Sequence, residues 1–339
     1  MAYFALIRDE PQPAASTAGT QPTQGTISLK DLHLNLWCLP AWPLGIRRIF
    51  FFDIGLRLRV ENAPVTSFQL ALPFGTDGDP KKSIRDLAPA LQSKEVAQLI
   101  FNREVEVSAG VQTTLSVKGK TVDLKLFLRE IDVSGCTLDK DRSAEVFSVW
   151  TIKLKEPLAP TAGDDAYIRL RFAPVEMGRR WLWKSRFARE GARLDLRVGD
   201  IRESEPVPQW APLHKRCIVP EAVRFFLIVP SWMRNRMANP APYYIRLLEG
   251  SRWEKYTRRR NLQREALVVH AFKGGDSQDL KERPFVVFVD LSRESAGISR
   301  TQFFVLLGAI LFTGLGGHVL WHYRNDLAVR IAPYVTHVL

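Results

Sequence analysis

Two stretches of the chain interleave guanidinium or ammonium groups with large aromatic rings, and they carry the clearest chemistry in the sequence. Residues 176 to 197 hold seven Lys or Arg against three acids, and residues 224 to 264 hold ten against two, which together account for the net charge of +12. In the first, Arg179, Arg180, Lys184, Arg186 and Arg189 surround Trp181, Trp183 and Phe187. In the second, Arg234 and Arg236 follow Trp232, while Arg252, Trp253, Lys255, Arg258, Arg259 and Arg260 form a continuous run around Tyr256. Guanidinium forks bind phosphate bidentately and ring faces stack on bases or rest at lipid headgroups. The pattern therefore predicts an anionic partner: an anionic lipid surface, a nucleotide, or a pocket for a cyclic or linear oligonucleotide signal. The plainer alternative is a set of solvated loops whose aromatic stems pack on a core. No RRM or helix-turn-helix pattern is present, so a duplex nucleic-acid partner is not expected.

Catalytic signatures are missing from the sequence. His33, His214 and His270 are isolated, and no H-E-x-x-H, G-x-S-x-G, G-x-x-x-x-G-K-[ST] or G-x-G-x-x-G occurs. Asp77-Gly78-Asp79 and Asp164-Asp165 read as solvent-facing turns, the first lacking the downstream ligands of a calcium loop. Cys38, Cys136 and Cys217 form no C-x-x-C pair and read as buried small side chains. The expectation is a non-enzymatic chain without metal or other cofactor, an enzyme with a scattered active site being the weakest reading.

The elements that must position these residues are mostly strands. Leu56, Leu58 and Val60 alternate with Arg57 and Arg59, and Val122, Leu124, Leu126 and Leu128 share one face of their run. Similar runs at Ser67–Phe74, Val146–Leu154 and Ala166–Phe172 complete a β-rich domain over 27–202. Prolines 206, 208, 212 and 220 mark a linker over 203–220, followed by a smaller β-rich unit over 221–297 that could equally complete the first sandwich. One short helix is expected at Ser83–Phe101 from the spacing of Leu87, Leu91, Val96 and Leu99. The fold class is mainly β, an antiparallel β-sandwich-like soluble region of one or two sandwiches. Residues 1–26 read as a flexible arm, with docking of residues 3–7 as a strand the alternative.

The longest apolar signal is the uncharged run Thr301–Tyr323. As a helix it would extend roughly 34 Å, enough for a hydrocarbon core about 30 Å thick. Its eleven Phe, Leu, Ile and Val residues supply roughly −3 to −7 kcal/mol toward insertion. Arg300 and Arg324 bracket it, and Trp321, His322 and Tyr323 suit an interfacial belt. Ala309, Thr313 and Gly317 recur every four residues, a face on which a second helix could approach and form a homo-oligomer. No secretory signal precedes the β-rich region, so a single-pass, tail-anchored protein with its bulk in the cytosol and a short tail over 324–339 is expected. The leading functional reading is a binding, sensor or scaffold module at the membrane, with a protein or nucleotide partner. A membrane-disrupting effector of a cell-defence system, whose helix oligomerises on engagement, and an envelope structural protein are the alternatives.

Overall fold

The computed structural model describes residues 2–7, 25–41, 47–110, 112–119, 123–144, 147–160, 165–173, 184–186, 189–198, 216–258, 262, 266–275, 280, 284–294, 304–305, 307–313 and 323. It is mainly β, as expected, with two large sheets. The first runs in the order β16 (Arg234–Asn239), β19 (Phe285–Glu294), β13 (Arg189–Val198), β1 (Ala2–Ile7), β4 (Val65–Leu72), β10 (Phe147–Leu158) and β9 (Thr137–Ala144). The second runs β17 (Tyr244–Leu248), β18 (Leu267–Gly274), β15 (Val223–Pro230), β2 (Thr26–Ala41), β3 (Arg47–Glu61), β11 (Asp165–Phe172), β8 (Leu124–Arg129), β7 (Thr114–Val117) and β6 (Val105–Ser108).

The period of two decides what lies between the sheets. Leu34 and Leu36 of β2, Phe52 and Ile54 of β3, and Phe225 and Leu227 of β15 share one core with Phe4, Leu70, Trp150, Leu196 and Val289 of the first sheet. Ring contacts cross it, Phe4 to Phe52 at 6.4 Å and Trp150 to Phe172 at 6.5 Å between centroids. The sandwich is not purely antiparallel. β1 pairs parallel with β13, β11 with β8, and β15 with β2.

Several sequence expectations are corrected. Residues 2–7 are not part of a flexible arm: β1 lies between β13 and β4, with Phe4 to Ile7 at most 2% exposed. Every residue of β1 is paired, and burial of each large side chain contributes about 1.5–3 kcal/mol, which offsets ordering of so short a segment. Within 203–220, Cys217–Ile218 forms β14, paired with Ile7 and Leu6 of β1. The strands after residue 220 join the same two sheets, so residues 1–183 and 192–292 form one compact unit. The helix expected at Ser83–Phe101 is interrupted. α1 (Pro80–Ser83) ends where β5 (Ile84–Asp86) pairs with β11, and α2 (Ala88–Leu91) and α3 (Lys94–Phe101) follow. Pro89 lacks the amide that a longer helix would need, and Asp86 Oδ1 accepts from the Ala88 amide at 2.8 Å instead. A further helix, α4 (Gly250–Thr257), falls in the second basic run and ends with Arg258 at φ 53°.

The other compact unit comprises residues 184–191 and 293–339. Its described parts are the hairpin of β12 (Lys184–Arg186) with the start of β13, and helical residues 304–305, 307–313 and 323 whose side chains are exposed. Among the described residues no helix is long and apolar enough to cross a membrane.

Candidate functional site

The second sheet has a second buried face, and the side chains there are unusually polar. The odd positions of β2, β3 and β11 that leave the sandwich core are Asp31, His33, Asn35 and Trp37, then Asp53 and Gly55, then Tyr167, Arg169 and Arg171. Register aligns them in rows across the strands. Lys273, Arg224, His33, Gly55 and Arg169 form one row, and Tyr244, Ala271, Phe226, Asn35, Asp53 and Arg171 the next. A third contains Arg246, Val269, Ile228 and Trp37. The helices roof this face: Leu87, Val96 of α3, and Trp253 and Tyr256 of α4 pack with Trp37 and Ile228.

A hydrogen-bonded network of charges lies beneath the roof. Asp53, fully buried, accepts from Arg171 Nε at 2.6 Å and Nη2 at 2.9 Å, from Tyr256 Oη at 2.7 Å and from Trp37 Nε1 at 2.9 Å. Arg169, equally buried, donates to Tyr256 Oη at 2.9 Å and to Tyr167 Oη at 3.0 Å. With the Asn35 amide turned to present its oxygen, that oxygen accepts from Arg169 Nη2 at 2.9 Å. Burial opposes the charge on Arg169, but the oxygens of Tyr256 and Tyr167 and the Asp53 carboxylate outweigh it and hold its pKa above the ordinary value. Burial pushes the hydroxyls of Tyr167 and Tyr256 up, so both are neutral donors and acceptors near pH 7. Asp53 is thus the counter-ion of Arg171 and, through Tyr256, of Arg169, while the Asp31 carboxylate lies beyond Tyr167 and His33 at the other end of the network.

Gly55 makes the arrangement sterically feasible. A Cβ there would collide with Tyr167 Oη and stand 2.9 Å from Arg169 Nη1. Gly55→Ala is therefore expected to cost about 1–3 kcal/mol through forced displacement of both side chains. A lowered thermal midpoint checks this, and an unchanged midpoint contradicts it.

Beside the network a cavity of about 270 Å³ opens between the sheet face, the end of α3 and α4. Among the described residues, Arg103, Arg224, Arg246 and Lys273 line it and no carboxylate does. Rings from Trp37, Phe226, Tyr244 and Trp253 form much of the remaining wall. Arg246 Nη1 donates to Asn102 Oδ1 at 2.9 Å, linking β17 to the residue that ends α3. Arg224 Nη2 lies 3.1 Å from Asp31 Oδ2, a carboxylate that does not itself line the cavity.

His33 stands at the floor. Its Nδ1 is 3.4 Å from Tyr167 Oη, whose lone pair already receives Arg169. The Asp31 carboxylate beside Nε2 favours the tautomer with its proton there, and in that tautomer Nδ1 accepts from Tyr167 Oη. That Nε2 lies 3.2 Å from Asp31 Oδ2, and both residues are buried.

Burial lowers the His33 pKa, with Arg224 and Arg169 adding to the effect and Asp31 opposing it. For Asp31, burial works against ionisation, but His33, Arg224 and Arg57 prevail and hold its pKa below normal. A histidine with a folded pKa below 6.5 takes up protons more readily when unfolded, so stability is full above pH 6.5 and falls as pH drops toward the folded value. The Asp31 contribution has the same sign further down, lost as pH falls from 3.8 through its folded pKa. The groups facing His33 are Asp31 on β2, Tyr167 and Arg169 on β11, Arg224 on β15 and the Phe101 ring of α3. Acidification from pH 7 to about 5.5 is expected to lower the thermal midpoint. His33→Gln should remove part of that slope. His270, lowered by burial, accounts for a further part. An unaltered slope in the His33→Gln, His270→Gln double variant contradicts this account.

The residues singled out in the sequence are dispersed. Arg179, Arg180, Trp181, Trp183, Arg259, Arg260 and Gly317 lie outside the described residues. Lys184 and Arg186 sit on β12 and Arg189 opens β13. Arg234 and Arg236 are exposed on β16, an edge strand of the first sheet. Arg252 and Lys255 are exposed on α4, and Arg258 is exposed at its end, while Trp253 points the other way and enters the cavity wall. Ala309 and Thr313 are helical and exposed, with Thr313 Oγ1 donating to the Ala309 carbonyl at 2.7 Å. Asp165 is not a solvent-facing turn residue: it is 2% exposed and accepts from Arg59 Nε at 2.9 Å, with Arg57 Nε at 2.8 Å. Cys38 and Cys136 are buried, as expected, and Cys217 is only partly so.

The charged residues of the inner network and cavity were missed. Phe50 to Leu56, FFFDIGL, offered one signal: a lone carboxylate amid apolar residues on both faces of a strand has no solvent-facing position. Among the described residues no group of three or more His, Cys, Asp or Glu could hold a metal ion.

No family model matches the chain, and no curated protein matches it. Solved structures similar to it include a two-domain M1 zinc metallopeptidase bound to L-tryptophan, 12% identical over 80% of this chain and 44% of that one, with a TM-score of 0.30. An M1 zinc metallopeptidase from Deinococcus radiodurans is likewise 12% identical, over 78% and 42%, at a TM-score of 0.30. The chain spans less than half the length of either protein.

Proposed function

We propose that this protein is a membrane-anchored receptor whose β-sandwich binds an anionic small molecule in the cavity on its second sheet. One observation carries the reading: among the described residues four cationic side chains, Arg103, Arg224, Arg246 and Lys273, and no carboxylate line a cavity walled by aromatic rings. Coulomb attraction from these gathered cations favours an anion in the cavity. Among the described residues no Ser, Cys, Asp or Glu lines the cavity, so its wall offers no nucleophile of those types, which favours binding over turnover.

In this reading the uncharged run 301–323 is the anchor, keeping the sandwich at the cytosolic face, and its apolar composition supports this. Exposed Arg234, Arg236, Arg252 and Lys255 favour an anionic leaflet, each contributing about 1 kcal/mol when close to it. The small-residue face at Ala309, Thr313 and Gly317 offers self-association as the route by which occupancy is read out. The test is thermal unfolding of the full chain in neutral detergent with increasing inorganic pyrophosphate. A dose-dependent rise in midpoint is expected, weakened by salt and abolished in Arg224→Gln, Lys273→Gln. No rise, or an equal rise in that double variant, refutes the reading.

A further inference from the structure

We infer that the ligand is a mononucleotide, a single base joined through one sugar to a phosphate, an assignment that rests on the receptor reading above. The cavity is chemically two-ended, and strand register sets the spacing of its ends. Lys273, Arg224 and His33 occupy one row, whereas Tyr244 and Phe226 occupy the next, two residues along each strand or about 7 Å away. Trp37 lies one row further. A phosphate dianion at the first row and a planar ring at the second require a spacer about the length of a sugar.

The phosphate end is built for an acceptor with several oxygens. Arg224 offers a planar fork, one nitrogen of which, Nη2, lies 3.1 Å from Asp31 Oδ2, Lys273 offers a point charge, and His33 completes the row beside the same Asp31 carboxylate. The ring end carries the aromatic side chains of Tyr244, Phe226 and Trp37. The Arg246 guanidinium sits 5.8 Å from the Tyr244 ring centroid, and Trp253 meets Trp37 edge-on at 5.2 Å. Stacking between aromatic rings and an arginine plane tolerates any base. Volume sets the upper limit, since about 270 Å³ lies at the small end of ligand pockets and holds one base with its sugar rather than an oligonucleotide.

Isothermal titration of the full chain in neutral detergent separates this inference from the receptor reading. The probes are the 5′-monophosphates of adenosine, guanosine, cytidine and uridine, with ribose 5-phosphate, adenosine and inorganic pyrophosphate alongside. At least one mononucleotide should bind roughly tenfold or more tightly than ribose 5-phosphate and than adenosine. Arg224→Gln should weaken mononucleotide and ribose 5-phosphate together by about tenfold or more. Tyr244→Ala, on a partly exposed edge strand, should erase the mononucleotide's advantage while leaving ribose 5-phosphate unchanged. If ribose 5-phosphate or pyrophosphate binds as tightly as every mononucleotide, the base assignment is overturned and the anion receptor stands. If none of the phosphate-bearing probes binds, both fall.

Discussion

Asp53→Ala should prevent stable folding of the sandwich, or lower its stability by about 3–5 kcal/mol where folding survives. The carboxylate is fully buried and receives four hydrogen bonds, so its loss orphans donors on Arg171, Tyr256 and Trp37 at once. The damage is dominated by Arg171, whose side chain is 5% exposed and would keep its charge without a counter-ion. Its guanidinium lies 4.7 Å from the Phe51 ring and 4.9 Å from that of Tyr256, but cation–π attraction of about 0.5–2 kcal/mol does not replace a carboxylate. Asp53→Leu combined with Arg171→Met should recover most of the loss, because an apolar pair avoids the desolvation cost altogether. Denaturant titration followed by tryptophan fluorescence checks both, Trp37 being inside the network. Asp53→Ala within about 1 kcal/mol of the parent protein contradicts the account.

Placing charge in the apolar run at 301–323 should release the protein from membranes. Each arginine near the centre of a spanning helix costs about 2.5–3.5 kcal/mol and also removes one favourable apolar contribution of about 0.3–0.6 kcal/mol. Leu307→Arg with Phe312→Arg therefore cancels most or all of the roughly −3 to −7 kcal/mol available to this segment. Both positions are exposed in the structure, so neither substitution disturbs a packed core. After carbonate washing the parent chain is expected in the membrane pellet and the double variant in the supernatant. Equal partition of the two would show that this run does not anchor the chain.

The sequence made the strands legible because alternation reports side-chain direction over a few residues, and Leu56, Leu58 and Val60 do face the core as their spacing required. It also gave direction for Arg169 and Arg171, which alternate with Ile168, Leu170 and Phe172. What it did not give is the cover. An arginine pointing away from one core reads as solvated, and only the packing of α4 over the sheet turns that face into a second interior. Tyr256 shows the difficulty: it lies among lysine and arginine in the chain and is 1% exposed in the fold. The cavity was equally hidden, since Arg224 and His33 are 191 residues apart yet occupy one row through the parallel pairing of β15 with β2. Among the described residues Trp253 is the one singled out in the sequence that lines the cavity, because α4 presents its cations outward and its rings inward.

The central claim is that an anion belongs at the row formed by Arg224, Lys273 and His33. Its most direct test is the position of tungstate, located by anomalous scattering in crystals of the full chain soaked with that ion. The account predicts a single strong site in the cavity against those three residues, lost in Arg224→Gln, Lys273→Gln. Tungstate bound only at exposed arginines such as Arg234 and Arg252, with the cavity left vacant, would contradict it.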